Sequence, residues 1–74
     1  MLARNDYLAI ARARALERLD GGQLVEAIIG MIWDLGQHKM LREHPGNRIG
    51  AMLLMNPTKR RDPTIVRRYI EACR

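Results

Sequence analysis

Gln23-Leu24-Val25-Glu26-Ala27-Ile28-Ile29-Gly30-Met31-Ile32-Trp33-Asp34-Leu35-Gly36-Gln37 is the stretch that decides the fold class. Its apolar residues do not alternate with polar ones, so the stretch does not read as a half-buried strand. Placed on a helix, Leu24, Val25, Ala27, Ile28, Ile29, Met31, Ile32, Trp33 and Leu35 cover almost the whole circumference. The polar or small positions, Gln23, Glu26, Gly30, Asp34 and Gln37, recur at spacings of three and four and fall in one narrow stripe. A helix apolar nearly all round is buried on most sides, and three other short helices can hardly enclose it. Each Ile or Leu left in water forgoes about 1.5–3 kcal/mol of burial. Several such losses rival a total stability of about 5–15 kcal/mol. The pattern therefore predicts a homodimer that shares this helix across a two-fold interface, with Leu24, Ile28, Met31, Ile32, Trp33 and Leu35 at the contact. The other reading is a monomer with the same helix at its centre.

Outward from this stretch, three more helices read. Upstream, Leu8, Ala11, Ala15 and Leu19 form an apolar stripe over Asp6–Leu19, with Asn5 as the expected cap. Asp20-Gly21-Gly22 ends that helix, because glycine reaches the left-handed conformation without penalty. Downstream, residues 37–43 are either a continuation, weakened by Gly36, or a loop. Pro45 suits the first turn of a third helix running to about Met55, with Ile49, Met52, Leu53 and Leu54 apolar. Asn56-Pro57 stops it. The fourth helix has the clearest start in the chain: Asp62 as cap and Pro63 at the first helical position. Ile65, Val66, Tyr69, Ile70 and Cys73 give it an apolar face, and Arg67, Arg68 and Arg74 point elsewhere. No run of alternating residues bounded by turn pairs suggests a strand. The expected fold is all-α: a compact bundle of about four short helices, residues 1–74 as a single helical domain.

Composition narrows the class further. At 74 residues with one cysteine, the chain is small and has no internal disulfide. Cys73 is expected as a loose, exposed thiol at a frayed end. The longest apolar run, Ala27–Trp33, is far shorter than the ~20 residues of a membrane span. No apolar run near the start leads to a small-residue cleavage site, so a reducing, cytoplasmic setting is expected. A hydrophobic fraction of 47% is too high for a disordered chain. Catalytic patterns are missing: there is no Ser/His/Asp set with a glycine elbow, no GxGxxG and no P-loop. Asp34, His38 and His44 are the one set that resembles metal ligands. Gly36 interrupts it and no cysteine pair accompanies it, so a surface Asp–His contact is expected instead. We expect no enzyme activity, no metal and no cofactor. The methionines are read as filling a small core.

Charge position is the most informative feature for function. The formal net charge is +5 and the pI near 10.4. Residues 57–74 hold Lys59, Arg60, Arg61, Arg67, Arg68 and Arg74 against only Asp62 and Glu71, whereas the rest of the chain is nearly balanced. Cations gathered on one surface beside the free amides of a helix start are what phosphate binding requires. Single-stranded nucleic acid is a poor fit, because it needs exposed aromatic platforms and the chain has only Tyr7, Trp33 and Tyr69. Membrane-surface binding would claim the apolar face that the fourth helix needs for the core.

Thr64-Ile65-Val66-Arg67-Arg68-Tyr69-Ile70 resembles the recognition helix of helix-turn-helix proteins, with Ile49-Gly50-Ala51-Met52-Leu53 as the preceding support helix. The connection Asn56–Asp62 is longer than that family's turn of about three to four residues. The resemblance implies that Thr64, Arg67 and Arg68 approach base edges in the major groove, and that Lys59, Arg60 and Arg61 hold phosphates. The leading expectation is thus a small basic protein that binds double-stranded DNA, of the transcriptional-regulator kind, through Lys59, Arg60, Arg61, Thr64, Arg67, Arg68 and Arg74. The rival is a helical adaptor or inhibitor that docks on an acidic or apolar protein surface, with Met31 and Trp33 as anchors.

Overall fold

The computed structural model describes residues 3–74, and among them it contains four α-helices and no strand. They are α1 (Arg4–Asp20), α2 (Leu24–Gln37), α3 (Pro45–Leu54) and α4 (Pro63–Ala72). Short 3-10 turns lie at Lys39–Leu41 and Lys59–Arg61. The stretch 37–43 is therefore neither a helical extension nor an open loop. His38 stops α2 in extended geometry, and its Nδ1 accepts from the amide of Met40 to start the first 3-10 turn.

Helices α1 and α4 bury the face their spacing dictates, whereas α3 buries Gly46, Gly50 and Leu53 and leaves the expected apolar residues Ile49 and Met52 exposed. Leu8, Ala11, Ala15 and Leu19 are the buried residues of α1, and Val66, Tyr69 and Ile70 those of α4. Asp62 caps α4 as expected, its Oδ1 accepting from the amides of Thr64 and Ile65 at 2.9 and 3.4 Å. The start of α1 differs from expectation. The helix begins beyond Ala3 with no side-chain cap, and Asn5 lies inside it, its Oδ1 taken by the Arg4 guanidinium at 3.1 Å. At the other end Gly22 adopts φ 82°, and the amides of Gly22 and Gln23 turn back onto the carbonyls of Leu19 and Arg18.

The contacts give the connectivity. Arg18 lies against Gly30, Arg14 meets Asp34, and Tyr7 packs on His38, so α1 and α2 run in opposite senses. Ile32 meets Gly50 and Leu35 meets Gly46, which sets α3 antiparallel to α2. The Tyr69 hydroxyl reaches Gly46 and Gly50, and Cys73 reaches Gly46, which sets α4 antiparallel to α3. Arg67 bonds Asp20 and Arg12 bonds the Cys73 carbonyl, so α4 returns antiparallel along α1. The chain thus runs up, down, up and down through its four helices, as short loops favour, around a core that includes Leu8, Ile28, Met31, Leu35, Leu41 and Ile70.

Two readings of the sequence are corrected by this packing. Cys73 is not a loose thiol: it is 3% exposed, and its Sγ donates to the Tyr69 carbonyl at 3.4 Å. It is buried because Gly46 has no side chain to occupy that space; a Cβ there would stand 3.0 Å from the sulfur. The second correction concerns the polar stripe of α2. Asp34 is buried and faces α1, while Ile29 and Trp33 are exposed, Trp33 at 67%. Gly30 lets the Arg18 side chain lie across α2, and Arg14 meets Asp34 at 3.7 Å. The longer helix α1 therefore covers the Gly30–Asp34 part of the polar stripe, while Gln23, Glu26 and Gln37 stay exposed and part of the apolar circumference is left outside. Of the methionines, Met31 is in the core, whereas Met40, Met52 and Met55 are exposed; Met1 lies outside the described residues.

Candidate nucleic-acid interface

The basic turn Lys59–Arg61 is held to the body of the protein by local polar contacts. Asn56 Oδ1 accepts from the amides of Thr58 and Lys59 at 3.1 and 2.9 Å, closing the loop that follows α3. Arg60 is half-buried, and its guanidinium donates to the Leu54 carbonyl at 3.1 Å. That bond satisfies one of the carbonyls that a helix end leaves free. Arg60 therefore acts first as a brace between the turn and α3. Lys59 and Arg61 are exposed and form no ion pair or side-chain hydrogen bond with a described residue. Arg60 and Arg61 also border a shallow cleft with Leu24 and Val25, so the turn stands beside the start of α2.

On α4 the outward positions are Thr64, Arg67, Arg68 and Glu71, all exposed. Arg67 is engaged with Asp20 at 2.7 Å, an ion pair in which both side chains stay well exposed. Arg68 is free of described partners. Lys59, Arg61, Thr64 and Arg68 therefore remain available: the first two on the basic turn, Thr64 in the first turn of α4 and Arg68 one turn further along, on the face that also carries Glu71. Arg74 does not join them. The ten residues of α4 separate it from the basic turn, a rise of about 15 Å. Its carbonyl instead accepts from Arg4 at 3.3 Å and lies 3.0 Å from His44 Nε2.

Some basic residues escaped the sequence reading. Between Glu43 and Asp62 the chain carries Arg48, Lys59, Arg60 and Arg61 and no carboxylate. Arg42 and Arg48 line a shallow cleft at the start of α3 and pair with no described acid. The signal was present as the gap between two acids. Arg48 is easily passed over because it stands eleven residues ahead of the run that begins at Lys59, and Arg42 because Glu43 follows it.

The six residues expected at a dimer contact fall into three groups. Ile28, Met31 and Leu35 are fully buried inside the single chain and cannot touch a partner. Leu24 and Ile32 are half-buried, packed on the core. Only Trp33 stands out in water. Ile29, one turn earlier and 51% exposed, joins it and was not singled out. The reason is geometric: packing of α1, α3 and α4 on α2 turns its core arc toward Ala27, Ile28, Met31 and Leu35, and positions 29 and 33 fall opposite that arc.

The candidate metal ligands have structural work instead. His44 caps α3, its Nδ1 accepting from the Gly46 amide at 2.9 Å. His38 starts the first 3-10 turn. Among the described residues, no group of three His, Cys, Asp or Glu side chains could hold a metal ion. No described helix is long and apolar enough to cross a membrane. The chain matches no protein-family model, no curated protein and no solved structure.

Proposed function

We propose that this chain is a small, non-catalytic protein that binds double-stranded DNA through the basic turn 59–61 and the outward face of α4, in the manner of a transcriptional regulator. The observation that carries this reading is that Lys59 and Arg61 on the basic turn and Thr64 and Arg68 on the helix that follows are all exposed and unpaired with any described carboxylate. Lys59 and Arg61 would contact phosphates, and Thr64 and Arg68 are positioned on the face that would meet base edges. Arg60 supports the turn, and Arg67 contributes once Asp20 gives way to a phosphate. A homodimer formed around Ile29 and Trp33 would present two copies of this surface and double the phosphate contacts.

The test is duplex binding at several salt concentrations. With roughly four to six phosphates neutralised per dimer, log affinity should fall with log salt at a slope of about −4 to −5. The double variant Lys59→Ala/Arg61→Ala should weaken binding to every sequence and flatten that slope. Arg68→Ala should also reduce discrimination between sequences. Affinity unchanged in both variants refutes the proposal.

A second reading is supported by the exposed apolar residues Ile29, Trp33, Met40, Ile49, Met52 and Met55. A helical adaptor or inhibitor would use such residues as anchors on a partner protein, with the arginines as a steering rim. A sedimentation run separates the two readings. Dimers that Trp33→Ser converts to monomers favour the DNA-binding dimer, and a monomer indifferent to duplex favours the adaptor.

A further inference from the structure

Where the start of α3 faces the last turn of α4 there is a cavity of about 240 Å³. Its walls are the apolar parts of Pro45, Ile49, Tyr69, Ala72 and Cys73. The wall groups that could carry charge stay neutral near pH 7. Burial pushes both the Tyr69 phenol and the Cys73 thiol up from their ordinary values. The Tyr69 hydroxyl is also committed, donating to the Gly46 carbonyl at 2.8 Å. The rim has the opposite character. Arg4, His44 and Arg74 border it and no carboxylate side chain does; in the 74-residue chain the main-chain carboxylate of Arg74 stands at the same rim, held by Arg4 and His44. His44 accepts the Gly46 amide on Nδ1, so the proton of the neutral ring sits on Nε2 and points at the Arg74 carbonyl. Arg4 uses one terminal nitrogen on Asn5 and the other on the same carbonyl. Arg74 spends only its Nε, on the Glu71 carbonyl. Its two terminal nitrogens have no described partner.

We propose that this cavity binds a small organic carboxylate with a compact aromatic or branched apolar body. The planar fork of Arg74 takes the carboxylate through two parallel N–H···O bonds, a geometry for which guanidinium is suited and an ammonium is not. The apolar body lies between Ile49, Ala72 and the Tyr69 ring. The volume is below the roughly 300–1,000 Å³ of sites for drug-sized ligands, which limits the body to about one ring. A ligand this small, held by one charged contact and one ring, binds in roughly the high-micromolar to millimolar range. The site is separate from the proposed DNA surface, because α4 holds Arg74 at the end away from Lys59 and Arg61.

Benzoate is the probe, followed through backbone amide resonances of the intact chain, with acetate (charge without body) and benzamide (body without charge) as controls. Saturable shifts confined to Gly46, Ile49, Ala72, Cys73 and Arg74 are expected with benzoate. Acetate and benzamide should each bind about tenfold more weakly or worse, the usual loss when a charge-assisted contact or an apolar filling is removed. Arg74→Gln should weaken benzoate by a similar factor. Ala72→Leu, at an exposed position on the cavity wall, should abolish binding with the melting temperature kept. Three results overturn the proposal: no saturable shift, acetate equal to benzoate, or benzoate affinity unchanged in both variants.

Discussion

Gly50 gives the sharpest test of the packing. It is buried in α3, and a Cβ built on it would collide with the Tyr69 hydroxyl and stand 2.8 Å from Ile32 Cγ1. Ile32 can change rotamer. Tyr69 cannot move without giving up its 2.8 Å bond to the Gly46 carbonyl, which is buried. In Gly50→Ala, overpacking costs about 1–3 kcal/mol. Loss of the hydroxyl bond adds about 0.5–1.5 kcal/mol. Against this, alanine is a better helix former by about 0.8–1.0 kcal/mol. The net loss is therefore about 0.5–3.7 kcal/mol, and a chain this small should melt roughly 2–30 °C lower. Gly36→Ala is the matched control. Nothing lies within 4 Å of a Cβ at Gly36, which is exposed in the last turn of α2. There the same substitution should leave the melting temperature unchanged or raise it, by up to about 1 kcal/mol of stability. Both variants should be melted side by side at fixed protein concentration, with far-ultraviolet circular dichroism as the readout. Gly50→Ala melting at or above the parent would mean that α3 does not approach α2 and α4 as described, and the reasoning about these glycines would fail with it.

Three further outcomes follow from specific contacts. His44→Ala removes the side-chain cap of α3 and Asp62→Ala that of α4; each should cost about 0.5–2 kcal/mol in chemical denaturation. A double-mutant cycle on Arg67 and Asp20 should give a coupling below about 1 kcal/mol that fades with added salt, because both side chains are exposed despite the 2.7 Å separation. Alkaline titration should destabilise the fold. Burial raises Cys73 and Tyr69 in the native state, so the native state keeps protons that the unfolded chain releases. Stability should be flat below about pH 9 and fall above it, first through the thiol and then the phenol. Cys73→Ser and Tyr69→Phe should each remove part of that slope, and a titration identical to the parent in both would contradict the burial.

The sequence carried the local signals well. The buried set of α1 and the Asp62–Pro63 start of α4 could be read residue by residue, since spacing and capping are properties of neighbours in the chain. The errors arose where distant elements meet. Asp34 was legible as polar but not as inward-facing, because α1 brings Arg14 to it from twenty residues away. Cys73 looked peripheral until Gly46 offered it space. The same holds at the candidate DNA surface. Exposure of Thr64 and Arg68 follows from the period of α4, whereas the engagement of Arg60 with Leu54, of Arg67 with Asp20, and the separation of Arg74 depend on tertiary contacts.

The bond from Arg4 to the Arg74 carbonyl has a practical corollary. The first and last described turns are neighbours, so in the 74-residue chain a flexible linker of about four to six residues could join the two ends into a closed ring. New ends could then be opened at Gly21-Gly22 or in the Pro57–Thr58 loop, both exposed. Rearranging the order in which the helices are synthesised would separate what the architecture needs from what the order of translation supplies.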